Sequence, residues 1–412
     1  MIHFEKFELK NGLKVIINTD VSTPLVAMNI LYNVGAKDED ENKTGFAHLF
    51  EHLMFGGSVN IPDYDEPLER AGGENNAFTN NDFTNYYLTI PKQNIETAFW
   101  LESDRMLSLA FSEKSLEVQR NVVIEEFKQR YLNQPYGDVW LLLRPLAYKV
   151  HPYKWNTIGK DLSHIKNATM PDVKDFFQRY YNPANAILVL SGNISVDETK
   201  KLSEKWFQPI PSTLVKKKKL PVEPEQKEKR ILKTEKEVPN SRIYKAWHCC
   251  SRTDNEFYAT DLLSDILSRG KSSRLYQTLV KEQKLFTEIS AFLTGDLDKS
   301  LMVIEGSLVD NIEMEKAEKA IDEEINKIRN QKVTDRELTK SKNTIESGIA
   351  FGETNIANRA LNLAFYELLG EANEANNQCR YYQSVTAEQI QNVANKTFSD
   401  ENQSVLYYVS KK

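Results

Sequence analysis

The run His-Leu-Phe-Glu-His at residues 48–52 contains the side chains with the clearest chemical meaning in the chain. On a helix, residues i and i+4 lie one above the other on the same face, so His48 and His52 would direct two imidazoles at one point. A zinc ion needs this arrangement from its first two protein ligands. Glu51 lies beside His52, where its carboxylate would reach a water molecule held by the metal. The spacing therefore predicts the parts of a metal-dependent hydrolase.

A short, buried helix is predicted around this motif. Apolar residues occur at positions 46, 49, 50, 53 and 54, the three-to-four spacing of one helical face. Gly45 precedes the helix, and the pair Gly56-Gly57 is a typical stop. Paired histidines can also pack or cap without a metal. Buried imidazoles need partners, however, and a metal would satisfy both, which favours the metal interpretation.

A third ligand must come from another element, because catalytic zinc usually has three protein ligands and leaves a fourth position to water. Residues 115–127 predict a second helix, with apolar residues at 116, 123, 124 and 127. This helix contains Glu125 and Glu126. Successive residues on a helix diverge by about 100°, so only one of the two can face the metal. The spacing alone leaves the choice between them open.

These motifs together resemble the pitrilysin family, which includes insulin-degrading enzyme and the mitochondrial processing peptidase and is known for the inverted HxxEH order. Further matching runs are residues 72–79, Tyr86-Tyr87, residues 151–153 with Gly159, and residues 182–185 followed by 188–192. The resemblance extends over essentially all 412 residues. It implies that His48, His52 and Glu126 bind one zinc ion and that Glu51 is the general base of a zinc-dependent endopeptidase.

Two similar halves flank a charged segment that contains proline, residues 213–230, which predicts an exposed linker. Residues near the end of the first half recur in the second at a constant offset of 217, for example Thr169 and Thr386. We therefore expect an α+β protein with a zinc-binding half at 1–212 and a homologous half without metal ligands at 231–412. The resemblance implies that each half is a mostly antiparallel sheet flanked by helices and that the halves face each other as a clamshell.

The second half predicts no metal site. When Gly57 is aligned with Gly270, the positions of His48, Glu51 and His52 fall on three residues that form no such motif, namely Asp261, Ser264 and Asp265. One zinc ion per chain is therefore expected. The second half is expected to bind substrate.

Two positions in the second half depart from the pattern of the resembling family. Active members offer an Arg and a Tyr there, and this chain has Val280 and Thr287 instead. Neither side chain can supply a charged anchor or a phenol to an oxyanion. We expect a dimer, and we favour a heterodimer whose homologous partner supplies the Arg/Tyr pair. The alternative is a chain that acts alone with a weakened or displaced substrate clamp. In the first half, Gln119 stands where many relatives have a supporting Glu, and we expect it to tune the metal.

The segment between the two zinc helices is expected to handle the substrate. By the resemblance, Asn76, Ala77, Phe78 and Thr79 belong to a sheet edge to which a peptide adds as an extra strand. Main-chain pairing of this kind asks little of the peptide sequence, so unfolded peptides are the expected substrates. For residues 83–90, an ordinary internal strand is an equally good interpretation.

Composition excludes several other classes of protein. The formal net charge of −6 argues against a nucleic-acid partner, and no apolar stretch is long enough for a membrane span. The three cysteines, 249, 250 and 379, lack CxxC spacing and are assigned structural roles. The first eight residues contain no signal peptide, so a cytoplasmic location is expected as the chain is written, with a periplasmic one open if a leader has been removed.

Two other functions compete with the peptidase interpretation. One is a non-catalytic core or scaffold subunit of the same family, and an intact HxxEH motif with a distal Glu speaks against it. The other is a metal-storage or sensor protein, in which Glu51 would have no role. Both are less consistent with the motif than a peptidase.

Overall fold

The computed structural model describes residues 1–215 and 218–411. Residues 216 and 217 of the predicted linker and residue 412 lie outside the described residues. The chain divides into two compact units. The first comprises Met1–Gln129, Trp155–Leu220 and Ile349–Asn377, and the second comprises Arg130–Lys154, Pro221–Gly348 and Gln378–Lys412.

A six-stranded sheet forms the centre of the first unit, with strand order β1-β2-β6-β3-β5-β4. Its strands are β1 (Glu5–Glu8), β2 (Lys14–Thr19), β3 (Leu25–Tyr32), β4 (Glu74–Thr79), β5 (Thr84–Pro91) and β6 (Ala186–Gly192). All neighbours are antiparallel except β2 and β6. Strand β4 is therefore an edge strand, whereas β5 is internal.

A five-stranded sheet forms the centre of the second unit, with strand order β7-β11-β8-β10-β9. Its strands are β7 (Arg230–Lys236), β8 (Arg242–His248), β9 (Phe286–Leu293), β10 (Leu301–Leu308) and β11 (Gln403–Ser410). Only β7 and β11 are parallel. Strand for strand, this order repeats the order β2-β6-β3-β5-β4 of the first sheet.

Helices flank both sheets. Those of the first unit are α1 (Phe46–Leu53), α2 (Asp65–Arg70), α3 (Ile95–Leu107), α4 (Glu113–Phe127), α6 (Leu162–Lys166), α7 (Met170–Tyr180), α8 (Val196–Trp206) and α12 (Ile356–Leu369). Those of the second are α5 (Val139–Ala147), α9 (Phe257–Ser268), α10 (Met314–Asn330), most of α11 (Asp335–Gly352), α13 (Gln378–Ser384) and α14 (Ala387–Thr397). The predicted α+β class with two mostly antiparallel, helix-flanked sheets is confirmed. None of the helices within the described ranges is both long and apolar enough to cross a bilayer.

The predicted duplication is visible in the helix that precedes the last strand of each sheet. Thr169 and Thr386, 217 residues apart, each form a capping box, in which the threonine hydroxyl accepts the amide of the third helical residue. The strands that follow begin at Ala186 and Gln403, again 217 residues apart. The same start signal therefore produces the same helix-to-strand unit in both halves.

The two units are not the contiguous halves 1–212 and 231–412 that the linker at 213–230 suggested. Helix α12 packs Ala360 and Leu363 against the first sheet, and α5 packs Val139 and Leu143 against the second. Each sheet has an apolar face that must be buried, and in each unit a helix from the other half of the sequence buries it. The composition of residues 213–230 does not indicate that a helix from each half of the sequence packs on the sheet of the other half. The predicted clamshell arrangement stays a prediction.

Candidate metal and peptide site

Helix α1 places the HxxEH motif on a well-anchored element. Its buried residues are Phe46, Ala47, Leu49, Phe50 and Leu53. The Phe50 ring stacks on Phe176 and Tyr181, with ring centroids 5.0 Å and 5.1 Å apart. Complete burial of side chains of this size contributes about 1.5–3 kcal/mol each. The predicted helix is present, and its apolar face fixes the direction in which the histidines point.

Glu39, which the sequence did not single out, caps the start of α1. Its buried carboxylate accepts the amides of Gly45 and Ala47 at 2.9 Å and 2.8 Å. Burial raises the pKa of Glu39, and the two amides act in the opposite direction. Gly45 has φ = +89°, and a Cβ there would lie 2.7 Å from the carbonyl oxygen of Ile158, so glycine is required. An acidic residue seven positions before the first residue of a helix is not a capping pattern, so the sequence did not predict this cap.

Helix α4 brings Glu126 to the two histidines. The Oε2 atom of Glu126 lies 3.6 Å from Nε2 of His48 and 3.3 Å from Nε2 of His52. One donor atom from each residue lies within 4.8 Å of the others. Glu125, the alternative that spacing left open, is exposed and pairs instead with Lys128 at 2.7 Å.

The three donors fit a zinc ion. Zinc–ligand bonds of about 2.0–2.1 Å in a tetrahedron place neighbouring ligand atoms about 3.3–3.4 Å apart. The separations of Glu126 from His48 and His52 match that spacing closely. Two imidazoles and a carboxylate are also the donor set of a catalytic zinc site with one open position.

Glu51 turns its carboxylate toward strand β4. The hydroxyl of Thr79 donates to Oε2 of Glu51 at 2.6 Å. Burial raises the pKa of Glu51, while the Thr79 hydroxyl and the neighbouring His52 act against this rise. Thr79 therefore orients the carboxylate and stabilises its charged form beside the three donors.

Strand β4 has a free backbone edge, since β5 is its only neighbour in the sheet order among the described residues. The side chain of Asn76 accepts the amide of Ala77 at 2.8 Å, which shows that this amide does not pair with β5. Phe78 packs against Phe83 with ring centroids 5.8 Å apart, on the face opposite Thr79. The structure thus places the four predicted substrate residues on an edge strand beside the donor cluster.

Arg105 supports the end of α1 and was missed by the sequence reasoning. Its guanidinium is buried and forms a bidentate pair with Glu102 at 2.6 Å and 2.9 Å. It lies 4.6 Å from the ring centre of Tyr64 and 4.4 Å from that of Tyr86. The Tyr86 hydroxyl donates to the carbonyl of Phe50 on α1. Arg105 lies in a charged stretch of sequence that is typical of an exposed helix. The sequence therefore did not predict that its side chain would be buried among aromatic rings.

Gln119 lies two turns before Glu126 on α4, on the same helical face. A Cβ at Gly56 would lie 3.8 Å from its amide nitrogen. The supporting role of Gln119 stays a prediction.

The corresponding helix of the second unit, α9, is tied by other contacts. Asp261 accepts the hydroxyl of Tyr382 at 2.6 Å, and Asp265 pairs with Arg269 at 3.0 Å. Ser264 donates to a main-chain carbonyl. Residues 261, 264 and 265 form no three-donor metal cluster in the described part of the chain.

The residues near the missing Arg/Tyr pair are also engaged. Arg274 forms a bidentate pair with Glu337 at 2.6 Å and 3.0 Å, and Thr287 donates to the carbonyl of Ser307. Val280 lies in the π-helical turn Tyr276–Glu282. Arg274 is therefore not a free substitute for the absent arginine.

The fold and the donor cluster agree with the resemblance to the pitrilysin family, and comparison with known proteins shows the family. The model described as insulinase (peptidase family M16) matches residues 14–149, and the model described as the peptidase M16 inactive domain matches residues 167–345. The chain belongs to peptidase family M16.

Relatives in bacteria are similar over nearly their whole length. The zinc protease PqqE of Helicobacter pylori is 28% identical over 98% of this chain and 92% of its own. The uncharacterized zinc protease YmxG of Bacillus subtilis is 23% identical over 96% of each chain. Among solved structures, a protease from Helicobacter pylori has a TM-score of 0.93 with 27% identity, covering 99% of this chain and all of its own. Pitrilysin has a TM-score of 0.80 with 19% identity, and the match covers all of this chain and 45% of pitrilysin. At that identity it shows the shared fold.

Proposed function

We propose that the chain is a zinc-dependent endopeptidase that cleaves unfolded peptides or precursor segments. The observation that carries this proposal is the contact between Glu51 and Thr79. It joins the carboxylate of the HxxEH motif to an edge strand, next to three donors with the spacing of a zinc site. The relatives named as zinc proteases support it.

His48, His52 and Glu126 would hold the ion. When bound, zinc supplies a nucleophile at neutral pH by lowering the pKa of water to about 7, and it polarises the scissile carbonyl. The half-buried position of all three donors limits competition from bulk water. Each chain would hold one ion, since the described part of the second unit offers no comparable cluster.

Glu51 would move the proton. Its Oε2 is held by Thr79, which leaves Oε1 to accept a proton from the attacking water and to return it to the departing amine. Partial burial raises the pKa of Glu51, and a raised value brings a carboxylate closer to the operating range of a general base at neutral pH. No covalent intermediate is required.

Strand β4 would hold the substrate by main-chain pairing. An extended peptide added to its free edge would lie along Ala77 and Thr79, beside the carboxylate of Glu51. In the structure the amide of Ala77 donates to the side chain of Asn76, and a carbonyl of the bound peptide would replace that side chain as the acceptor. Since the pairing uses the main chain, the peptide must be unfolded.

The chain would work as one component of a two-component peptidase. Val280 has no donor for an oxyanion, the Thr287 hydroxyl donates to the carbonyl of Ser307, and Arg274 is held by Glu337. A homologous subunit with the Arg/Tyr pair would complete the site. A core subunit with weak or no activity is the alternative, and the same two positions favour it.

The test is to measure zinc content and cleavage of an unfolded peptide together, on the parent chain, Glu126→Gln and Glu125→Gln. We expect about one zinc and weak cleavage for the parent and for Glu125→Gln, and loss of both for Glu126→Gln. Equal zinc content in both variants would contradict the ligand assignment. Strong cleavage by the chain without a partner would contradict the two-component arrangement.

A further inference from the structure

The outer edge of β4 offers main-chain groups from every second residue. In the turn that follows the strand, the amide of Asn80 donates to the carbonyl of Phe83 at 3.1 Å, so these two residues form a hydrogen-bonded pair. Hydrogen-bonded and non-hydrogen-bonded pairs alternate in antiparallel pairing. The register with β5 therefore makes non-hydrogen-bonded pairs of Thr79, Ala77 and Asn75. Their N–H and C=O groups point away from β5, toward the free edge.

Two contacts agree with this assignment, and one of them closes the edge at the Thr79 end. The amide of Ala77 donates to the side chain of Asn76 and not to β5. Burial raises the pKa of Glu51, and both the hydroxyl and the main-chain amide of Thr79 act against this rise by hydrogen bonding. The outward amide of Thr79 is therefore taken by the carboxylate of the proposed general base. A peptide paired with β4 cannot continue past Thr79 without displacing Glu51.

Helix α2 closes the other end of this edge. The amide of Gly73, two residues before Asn75, donates to the carbonyl of Leu68 at 2.9 Å. The side chain of Asn75 donates to Asp65 of the same helix at 2.8 Å. Residues 75–79 remain between the two closed ends. They span four strand steps of about 3.4 Å, or about 14 Å, which is the length of about five residues of extended peptide.

We propose that the site holds its substrate on one side of the scissile bond, by pairing residues 75–79 with about five peptide residues that follow this bond. The inference rests on the proposed function and narrows its substrate class. The bond to be cleaved must lie at the Thr79 end, because Glu51 is held there. Strand β4 is antiparallel to β5, and antiparallel pairing is the more stable kind. A peptide antiparallel to β4 runs from Thr79 toward Asn75, so the paired residues lie on the C-terminal side of the scissile bond.

This geometry defines the substrates by their main chain. The peptide residues opposite Ala77 and Asn75 must each offer an N–H to β4, whereas the N–H groups of the residues between them point away. Proline is therefore excluded at the first set of positions and tolerated at the second. Bonds close to the N-terminus of a peptide can be cleaved, and bonds within about the last four residues are poor substrates.

Peptide hydroxamates test the direction of binding, because the hydroxamate fixes one end of the peptide at the metal of the full-length, zinc-loaded chain. One series of one to seven alanine and serine residues carries the hydroxamate at its N-terminal end and extends in the C-terminal direction. The other carries it at the C-terminal end. Calorimetry gives Kd. We expect the first series to gain at least about a hundredfold in affinity up to about five residues and then to level off, and the second to gain less than about threefold.

N-methylation and one protein variant test the pairing itself. The five-residue member of the first series is N-methylated at one residue at a time. Its affinity should fall at least about tenfold at every second residue and by less than about threefold at the residues between. Ala77→Pro removes an outward amide and no bond to β5, so it should weaken this compound about tenfold. Unchanged zinc content and unchanged binding of acetohydroxamate, which has no peptide to pair, are the controls for an intact site.

Equal gains in the two series, or a gain confined to the second series, would overturn the proposal. Equal losses at all N-methylated positions would do the same, and this result does not require the Ala77 variant to fold. If neither the peptide hydroxamates nor acetohydroxamate bind, the proposed zinc site fails and the inference fails with it. Binding without a preferred side defeats the inference alone. All of these measurements are independent of cleavage and of any partner subunit.

Discussion

The hydroxyl of Thr79 donates to the carboxylate of Glu51 at 2.6 Å, and this bond links the edge strand β4 to the HxxEH helix. One residue therefore belongs both to the strand proposed to bind peptide and to the immediate surroundings of the proposed general base. Any change in the position of β4 would also reorient the Glu51 carboxylate.

Thr79→Val tests this link. The substitution keeps the shape of the side chain and removes the hydrogen-bond donor. Because hydrogen bonds to charged groups contribute about 1.5–3 kcal/mol, we expect kcat/KM on an unfolded peptide to fall about ten- to a hundredfold. Zinc content should be unchanged, since Thr79 is not among the three donors. Thr79→Ser, which retains the hydroxyl, is the control and should recover most of the activity. Full activity of the valine variant would show that the bond has no role.

Glu39→Ala tests how α1 is held. The variant leaves the buried amides of Gly45 and Ala47 without acceptors, so we expect unfolding free energy to fall by about 2–4 kcal/mol and zinc affinity to weaken. Denaturant unfolding and zinc titration measure the two effects. Glu41→Ala, at an exposed site nearby, should change stability by less than about 0.5 kcal/mol. Equal effects of the two variants would rule out the capping role.

Arg105→Met tests the cage behind α1. Removing one partner leaves Glu102 as a buried, unpaired charge, so a loss of about 3–5 kcal/mol is expected in chemical denaturation. Adding Glu102→Gln removes that charge and should restore at least about half of the loss. Arg179→Met breaks the exposed pair with Asp175 and serves as the comparison, with an effect of less than about 1 kcal/mol. A single Arg105 variant as stable as the parent would contradict the importance of the cage.

His248 makes the second unit sensitive to acid. Burial lowers its pKa from 6.5 to about 4, so as pH falls the unfolded chain takes up the proton first. The unfolding free energy therefore has its full value, as far as His248 is concerned, above about pH 6.5. It falls by about 3 kcal/mol as the pH is lowered toward 4. His248→Gln should flatten this part of the stability curve relative to the parent in denaturation at pH 7, 6, 5 and 4. Parallel curves for the two proteins would exclude His248 as the cause.

Local signals in the sequence were sufficient for the donor helix and for the duplication. The apolar spacing around residues 46–54 predicts α1, and the threonines at 169 and 386 begin equivalent helices. The apolar spacing and each capping box involve residues within one or two turns of each other, and the duplication follows from finding the same local pattern twice. The edge position of residues 74–79 came from the resemblance, and the strand order agrees with it.

Long-range contacts were beyond the sequence reasoning. The partners Thr79 and Glu51 are 28 residues apart, and Tyr64 and Glu102 are 38 apart, with no periodicity that connects them. The exchange of α5 and α12 between units depends on which apolar face each sheet leaves uncovered. Such packing is a property of the assembled core, and a single sequence without its fold does not encode it in any local pattern.

The most direct test of the central claim is cleavage of an unfolded peptide by Glu51→Gln, with zinc content measured on the same preparation. The glutamine preserves size and can still accept the Thr79 hydroxyl, but it cannot take a proton from water. We expect the variant to retain about one zinc per chain and to lose at least about a hundredfold in kcat. A variant that keeps its zinc and cleaves the peptide as fast as the parent would show that Glu51 is not the general base.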